Sequence, residues 1–332
     1  MSFIKKNSFI LFMAFALSCL TVSCKKDSDD SAPNPSDQYD IIVTGEDSGN
    51  AVYWLNNQKY ILPSTGFGAY AMGVEVSGAD IYIAGSDGVN AVYWKNGTKY
   101  TLPGAAFQTR AHFIYVIGND IYIAGEENED AVYWKNGVKT SLSNPSTTLT
   151  SSTGYSMLID GANVYVVGER LNPSNNDSEP VYWLNGTLNV LPNNFTSGNS
   201  SCAFDILKLG SDIYISGIND GSAVYWKNGV KNILPGGVFF GSISTLMCAD
   251  GGDVYIAGMA ELMPTYWKNG IPVSVNNLGF GEFPVSISAV NGNVFMAGDG
   301  DTLSWYWQNG NLVTLNGSGL ETTINDLAIV QP

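Results

Sequence analysis

The chain of 332 residues repeats itself seven times, and that periodicity limits its fold more than any other feature. A Tyr-Trp pair ends at Trp54, Trp94, Trp134, Trp183, Trp226, Trp267 and Trp307, with gaps of 40, 40, 49, 43, 41 and 40 residues. A second motif keeps step with it. It reads "DIYIAG" from Asp80 and from Asp120, and recurs in varied form from Asp40, Asn163, Asp212, Asp253 and Asn293. Self-similarity at such a period marks units that bury their apolar faces only by stacking on one another.

Each unit reads as four short strands. The first is apolar and runs into a Gly-containing turn, as in "AMGVEVSGAD"; the second is "DIYIAG"; the third is "AVYW". The fourth follows Asn-Gly, as in "TKYTLP". Asn-Gly is the strongest short hairpin signal, because a type I′ turn needs positive φ at both central residues. Val, Ile, Tyr and Trp favour strands, and no helical period runs through the chain after its first segment. Seven four-stranded units of this length predict an all-β, seven-bladed β-propeller with antiparallel blades over residues 39–332. The first unit starts at its second strand, Tyr39 to Gly45, and "TINDLAIV", Thr323 to Val330, has no second strand after it. The C-terminal strand is therefore expected to join blade 1 and close the ring.

In stacked blades the middle strands are covered on both sides, which accounts for consecutive apolar residues in "IYIAG" and "AVYW". The repeated Trp is expected between blades, with its N–H on a carbonyl of the next blade. Lys95, Lys135, Lys227 and Lys268 precede the turn and are expected in solvent. Phe67, Phe107 and Phe239 recur after "LP" and read as plugs.

Residues 1–23 read as a signal peptide: Lys5 and Lys6, then the apolar run ending at Ser23, too short for a membrane span. The stretch Leu20-Thr21-Val22-Ser23-Cys24 resembles the lipobox of bacterial lipoproteins, with Thr21 where leucine is usual. The resemblance implies lipidation of Cys24, the competing acceptor being Cys19, and a membrane held through the lipid anchor, palmitate among its chains. Residues 24–38 are polar, with Pro33 and Pro35, and read as a disordered tether. Their basic-then-acidic order is similar to the surface-export signal of some Gram-negative lipoproteins. It implies an outer-membrane protein displayed at the cell surface, or else facing the periplasm.

The chain has 30 acidic residues against 15 basic ones, and removal of residues 1–23 takes two lysines with it, leaving a net charge of −17. Nucleic acid is therefore a poor partner. Cys202 and Cys248 sit at different places in neighbouring repeats, so no disulfide is expected although the compartment permits one. The repeats are loosely similar to kelch repeats, without the paired glycines after strand two, and lack the WD40 signatures. That resemblance implies architecture and no activity.

Function is expected where the repeat breaks. Arg110 and His112, one of two arginines and the sole histidine, stand in a first strand near the acidic loop Glu126, Glu127, Glu129 and Asp130. The connection Ser143 to Ser156 is long. So is the loop Glu169 to Pro180, with Glu169, Arg170, Asp177 and Glu179. These residues form the candidate ligand site, for a glycan, a peptide or an envelope protein bound by a monomeric propeller. No cofactor and no catalytic residue is assigned. Asp299 and Asp301 are the calcium candidate, although no loop has an EF-hand or repeat-in-toxin spacing. The alternatives are a glycosidase or lyase using carboxylates on the loop-bearing face, and a structural subunit of an envelope complex.

Overall fold

The computed structural model describes residues 39–65, 68–104, 108–142, 151–193, 201–238, 246–300, 303–319 and 321–331. Cys24 and the rest of the N-terminal segment, Phe67, Phe107, Phe239 and Asp301 lie outside them. The described residues are all-β, and no helix among them is long and apolar enough to cross a membrane.

The described residues form twenty-eight strands in seven antiparallel groups of four. The first holds β1 (Asp40–Asp47), β2 (Asn50–Leu55) and β3 (Gln58–Ile61), and the second β4 (Ala69–Ser77), β5 (Asp80–Asp87), β6 (Asn90–Lys95) and β7 (Thr98–Thr101). The third is β8 (Thr109–Ile117), β9 (Asp120–Glu127), β10 (Asp130–Lys135) and β11 (Val138–Ser141); the fourth β12 (Ser152–Asp160), β13 (Asn163–Leu171), β14 (Ser178–Leu184) and β15 (Thr187–Val190). The fifth is β16 (Cys202–Leu209), β17 (Asp212–Asn219), β18 (Ser222–Lys227) and β19 (Val230–Val238); the sixth β20 (Met247–Asp250), β21 (Asp253–Ala260), β22 (Met263–Lys268) and β23 (Ile271–Ser274). The seventh is β24 (Phe283–Val290), β25 (Asn293–Asp299), β26 (Ser304–Gln308) and β27 (Asn311–Thr314). The last strand, β28 (Thr322–Val330), pairs along β1 and supplies the first group's missing strand. Five groups are separate sheets, and a single bridge, Gly237 to Ala260, joins the fifth and sixth.

The Asn-Gly turns behave as their chemistry requires. Asn96 and Gly97 both have positive φ, 49° and 77°, and the same holds for Asn136-Gly137, Asn185-Gly186, Asn228-Gly229, Asn269-Gly270 and Asn309-Gly310. These turns share one end of the molecule with the first-to-second-strand turns. At the other end the second-to-third-strand turns meet the segments that link groups: Ala69 N donates to Gly49 O, Thr109 N to Val89 O, and Ser152 N to Glu129 O. We call these the turn end and the linker end.

Each group packs on the next, and β24 and β25 of the seventh pack on β28 of the first. Six of the repeated tryptophans are fully buried there, and Trp307 nearly so. Apart from that of Trp183, their N–H donates to a carbonyl of the preceding group, not the next: Trp94 to Pro63 O at 2.9 Å, Trp134 to Pro103 O at 2.8 Å, Trp54 to Asn316 O at 2.8 Å. The indole points back because the third strand's side chain reaches the "LP" segment that ends the previous group. The lysines stand in solvent, as expected, and are also paired there. Lys95 bridges Asp80 at 2.8 Å and lies 5.0 Å over the Tyr82 ring, and Lys135, Lys227 and Lys268 repeat the arrangement on Asp120, Asp212 and Asp253. The aspartate that opens "DIYIAG" meets the lysine before the turn across the hairpin, so an exposed ion pair forms.

Every first strand with a described start carries one extra residue against its partner, a β-bulge: the Met72-Gly73 pair, His112, Tyr155, Phe204, Val285 and Asn325. The bulge re-aims the following side chain. In two groups that side chain is a buried aspartate. Asp326 accepts Ser286 Oγ of the seventh group at 2.9 Å and Val74 N of the second at 2.9 Å. Asp205 accepts Ser156 Oγ of the fourth at 2.8 Å and Met247 N of the sixth at 3.0 Å. Each carboxyl thus ties three consecutive groups together.

Candidate functional site

The bulges also build a polar cluster that departs from the repeat. His112, Tyr155 and Phe204 occupy the bulge position in three successive groups, and their rings touch in series, with centroids 6.1 Å and 5.8 Å apart. All three are buried. On the linker side of them, Arg110 on β8 faces Glu126 on β9 across the ladder, and Arg110 Nη1 donates to Glu126 Oε1 at 2.7 Å. Thr153 Oγ1 of the next group donates to Glu126 Oε2 at 2.8 Å. His112 Nε2 is 3.9 Å from Glu126 Oε1. The Glu126 side chain is almost enclosed, at 12% exposure, whereas that of Arg110 keeps 52%.

Tyr155 carries the network onward. Its hydroxyl donates to Glu169 Oε1, and Ser178 Oγ donates to Glu169 Oε2. Burial pushes the Glu169 carboxyl up, with the charge of Glu126 adding to it and the two hydroxyls opposing. Burial also acts to raise Glu126, but His112 in the acid range where it is charged, the Thr153 hydroxyl and Arg110 outweigh it and hold that carboxyl below its ordinary value. Burial depresses His112 to about 4, so the imidazole is neutral at neutral pH. Two neighbouring carboxyls are therefore driven in opposite directions by their surroundings.

The structure brings together Arg110, His112, Glu126 and Glu169 from the expected set. Glu127, at the end of β9, instead pairs with Lys139. Glu129 lies in the turn with φ 68°, and Asp130 opens β10, its carboxyl raised by burial and by Glu127 and Glu129. Arg170 and Glu179 pair with each other at 2.9 Å, and Asn172 Nδ2 donates to Glu179 at 2.6 Å. Arg170 follows Glu169 in β13, so its side chain leaves on the opposite face of the strand. Asp177 stays within its own turn, accepting Asn175 Nδ2 at 2.7 Å.

Two boundaries are corrected. Glu169–Leu171 and Ser178–Pro180 are strand, paired Glu169 to Pro180 and Arg170 to Glu179, so only Asn172–Asp177 forms the loop. Ser152–Ser156 likewise belongs to β12 and not to the connection. An insertion was legible from repeat spacing, but not that its flanks would extend a ladder. Asp299 holds Ser304 Oγ at 2.7 Å and Ile324 N at 2.9 Å, and burial pushes its carboxyl up to about 6. A carboxyl so occupied and so raised is a poor calcium ligand. Among the described residues no three metal-ligating side chains gather. Cys202 and Cys248 are buried, as separate thiols. Thr153, Tyr155 and Ser178 were not singled out from sequence. The signal for Thr153 and Tyr155 was the strand "STGYSMLID", a first strand unlike its counterparts.

No family model matches the chain, and no curated protein matches it. The fold is similar to that of the computationally designed Ika8 protein, with a TM-score of 0.50 and 13% identity over 98% of this chain and 94% of that one. Looser likenesses are the extracellular domain of a one-component system from B. thetaiotaomicron and apo AztD from Citrobacter koseri. The first has a TM-score of 0.47 and 11% identity over 83% of this chain and 46% of that one. The second has a TM-score of 0.47 and 9% identity over 88% of this chain and 98% of that one. At these identities the likeness is one of fold.

Proposed function

We propose that the seven groups close into a seven-bladed propeller, and that this propeller is the binding module of a lipid-anchored protein of the bacterial cell envelope. Its ligand is a glycan, a peptide or another envelope protein, held at the linker end of the third and fourth groups. The observation that carries the reading is the setting of Arg110. Its guanidinium is half in solvent, yet its direction is fixed by a nearly buried carboxylate that is itself tied to the next group. A guanidinium pre-oriented in this way loses little freedom when it meets a ligand carboxylate or carbonyl. The N-terminal lipobox and tether support the envelope location, and the packing of the seventh group on the first supports the closed ring.

Glycan and peptide arrays probed with the mature chain and with Arg110→Gln test the reading. A ligand held by the native chain and lost by a variant of unchanged circular dichroism is the expected result. Equal binding by both removes Arg110 from the site. Silence on both arrays together with stable co-purification of one envelope protein turns the reading to a scaffold.

The opposite displacement of Glu126 and Glu169 favours one second reading, a polysaccharide-processing enzyme with Glu169 as acid and Glu126 as base. Against it, both Glu169 oxygens already accept hydroxyls. Release of reducing ends from a polysaccharide, abolished by Glu169→Gln, would establish it.

A further inference from the structure

The charges of the described body are not evenly spread. It holds eleven basic side chains: ten are in ion pairs with acids, and the eleventh, Lys231, donates to Asn219 at 2.7 Å. At the turn end the pairing neutralises Asp80, Asp120, Asp160, Asp212 and Asp253, leaving Asp40 and Asp250 outside it. At the linker end Glu46, Glu129, Asp130, Asp177, Glu261 and Glu321 all stand outside those ion pairs. The net negative charge of the described residues is thus concentrated at the linker end.

Among the described residues, most of the exposed large apolar side chains at the same end fall in one sector. Tyr70 and Val89 belong to the second group, Met263 to the sixth, and Phe280, Phe283 and Leu303 to the seventh; all are exposed, Phe280 to 76%. Packing order makes the sixth, seventh, first and second groups neighbours. Among the described residues, the third, fourth and fifth groups offer only Val190 and Ile233 toward that end, each on an outer strand just before the Leu-Pro that starts the linking segment. In this arc Glu261, Glu46 and Glu321 stand between the apolar positions, and Ser48 N donates to Glu321 O at 3.4 Å across the first group's turn.

We propose that this arc docks a cationic, partly apolar segment of a partner polypeptide, with Lys or Arg alternating with Leu- or Phe-like side chains. Charge complementarity selects that partner: an acidic field with every nearby lysine already committed attracts cations and repels a second copy of this chain. The non-aromatic Val89, Met263 and Leu303 suit apolar side chains better than sugar faces. This surface is separate from the Arg110 site, so each is tested without the other.

The probe is a short peptide alternating Lys and Leu, titrated into the mature chain by calorimetry. Companion peptides carry Ser for Leu or Glu for Lys. The Lys–Leu peptide alone should bind, and its affinity should fall as salt is raised from about 0.05 to about 0.5 M. The Phe280→Ser/Phe283→Ser pair and the Glu261→Gln/Glu321→Gln pair should each weaken it at least about ten-fold. Ile117→Ser at the turn end should leave it unchanged. Equal binding of the Lys–Ser or Glu–Leu peptide overturns the proposal. So does unaltered affinity in both double variants with native melting curves, or no binding by the native chain.

Discussion

A Cβ on Gly125 would be driven into the carbonyl oxygen of Arg110 and against the Trp134 ring, and the glycine at the same point of five other groups faces the same collision. The bulge in the first strand pushes its carbonyl onto the second strand, so the final glycine of "IYIAG" records a close backbone approach, not a turn. Gly125→Ala should therefore cost about 3 kcal/mol or more, with no flexible group to give way. Gly97, with φ 77° and open space around it, should lose only about 1–2 kcal/mol on the same change, through backbone strain alone. Urea unfolding of the two variants checks the order. Asp205 gives a second residue-scale test. Burial raises its carboxyl to about 7, against about 4 in the unfolded chain, so the folded state holds the extra proton between those values. The stability it contributes is complete below pH about 4 and is lost as pH rises through about 7. Melting temperature should fall across that window in the native chain and fall less steeply in Asp205→Asn. An unchanged slope would mean that Asp205 is already ionised throughout.

Strand pairing decided where the sequence could be read and where it could not. The hairpin between the third and fourth strands was legible because Asn-Gly requires a specific backbone, and positive φ at both residues bears that out. The β13–β14 insertion was legible as length only. Cross-strand pairs such as Arg170 with Glu179 depend on register, and a chain without a repeat at that point gives no register in advance. The tip Asn172–Asp177 binds mainly to itself, through Asn172, Asn175 and Asp177. Replacing it by Asn-Gly should leave stability within about 0.5 kcal/mol, since the ladder on both sides persists. Ligand capture that survives this trimming but not Arg110→Gln would assign recognition to the strand network. Loss in both would bring the tip into the site.

At the scale of the molecule, the period announced seven units and the C-terminal strand announced its partner, because both are properties of counting. The ties between units were not announced. Asp326 and Asp205 occupy one position of the bulged first strand, but the second and third groups hold Gly73 and Phe113 there, so no repeat reveals them. Asp326 spans the seventh, first and second groups, Asp205 the fourth, fifth and sixth, and the third group, which carries Arg110 and His112, is tied by neither. Deleting Thr323–Pro332 removes most of β28, the Asp326 tie, and the bond from Asn325 Nδ2 to Ala71 O at 2.8 Å. It also exposes the edge of β1, with Ile42 and Val43 behind it, a site for pairing with other chains. The truncated chain should lose cooperative unfolding and self-associate, whereas Asp326→Asn in the full chain should still melt in one transition at a lower temperature. A truncated chain that melts cooperatively at the native temperature would mean that seven groups hold together without the strand that joins last to first.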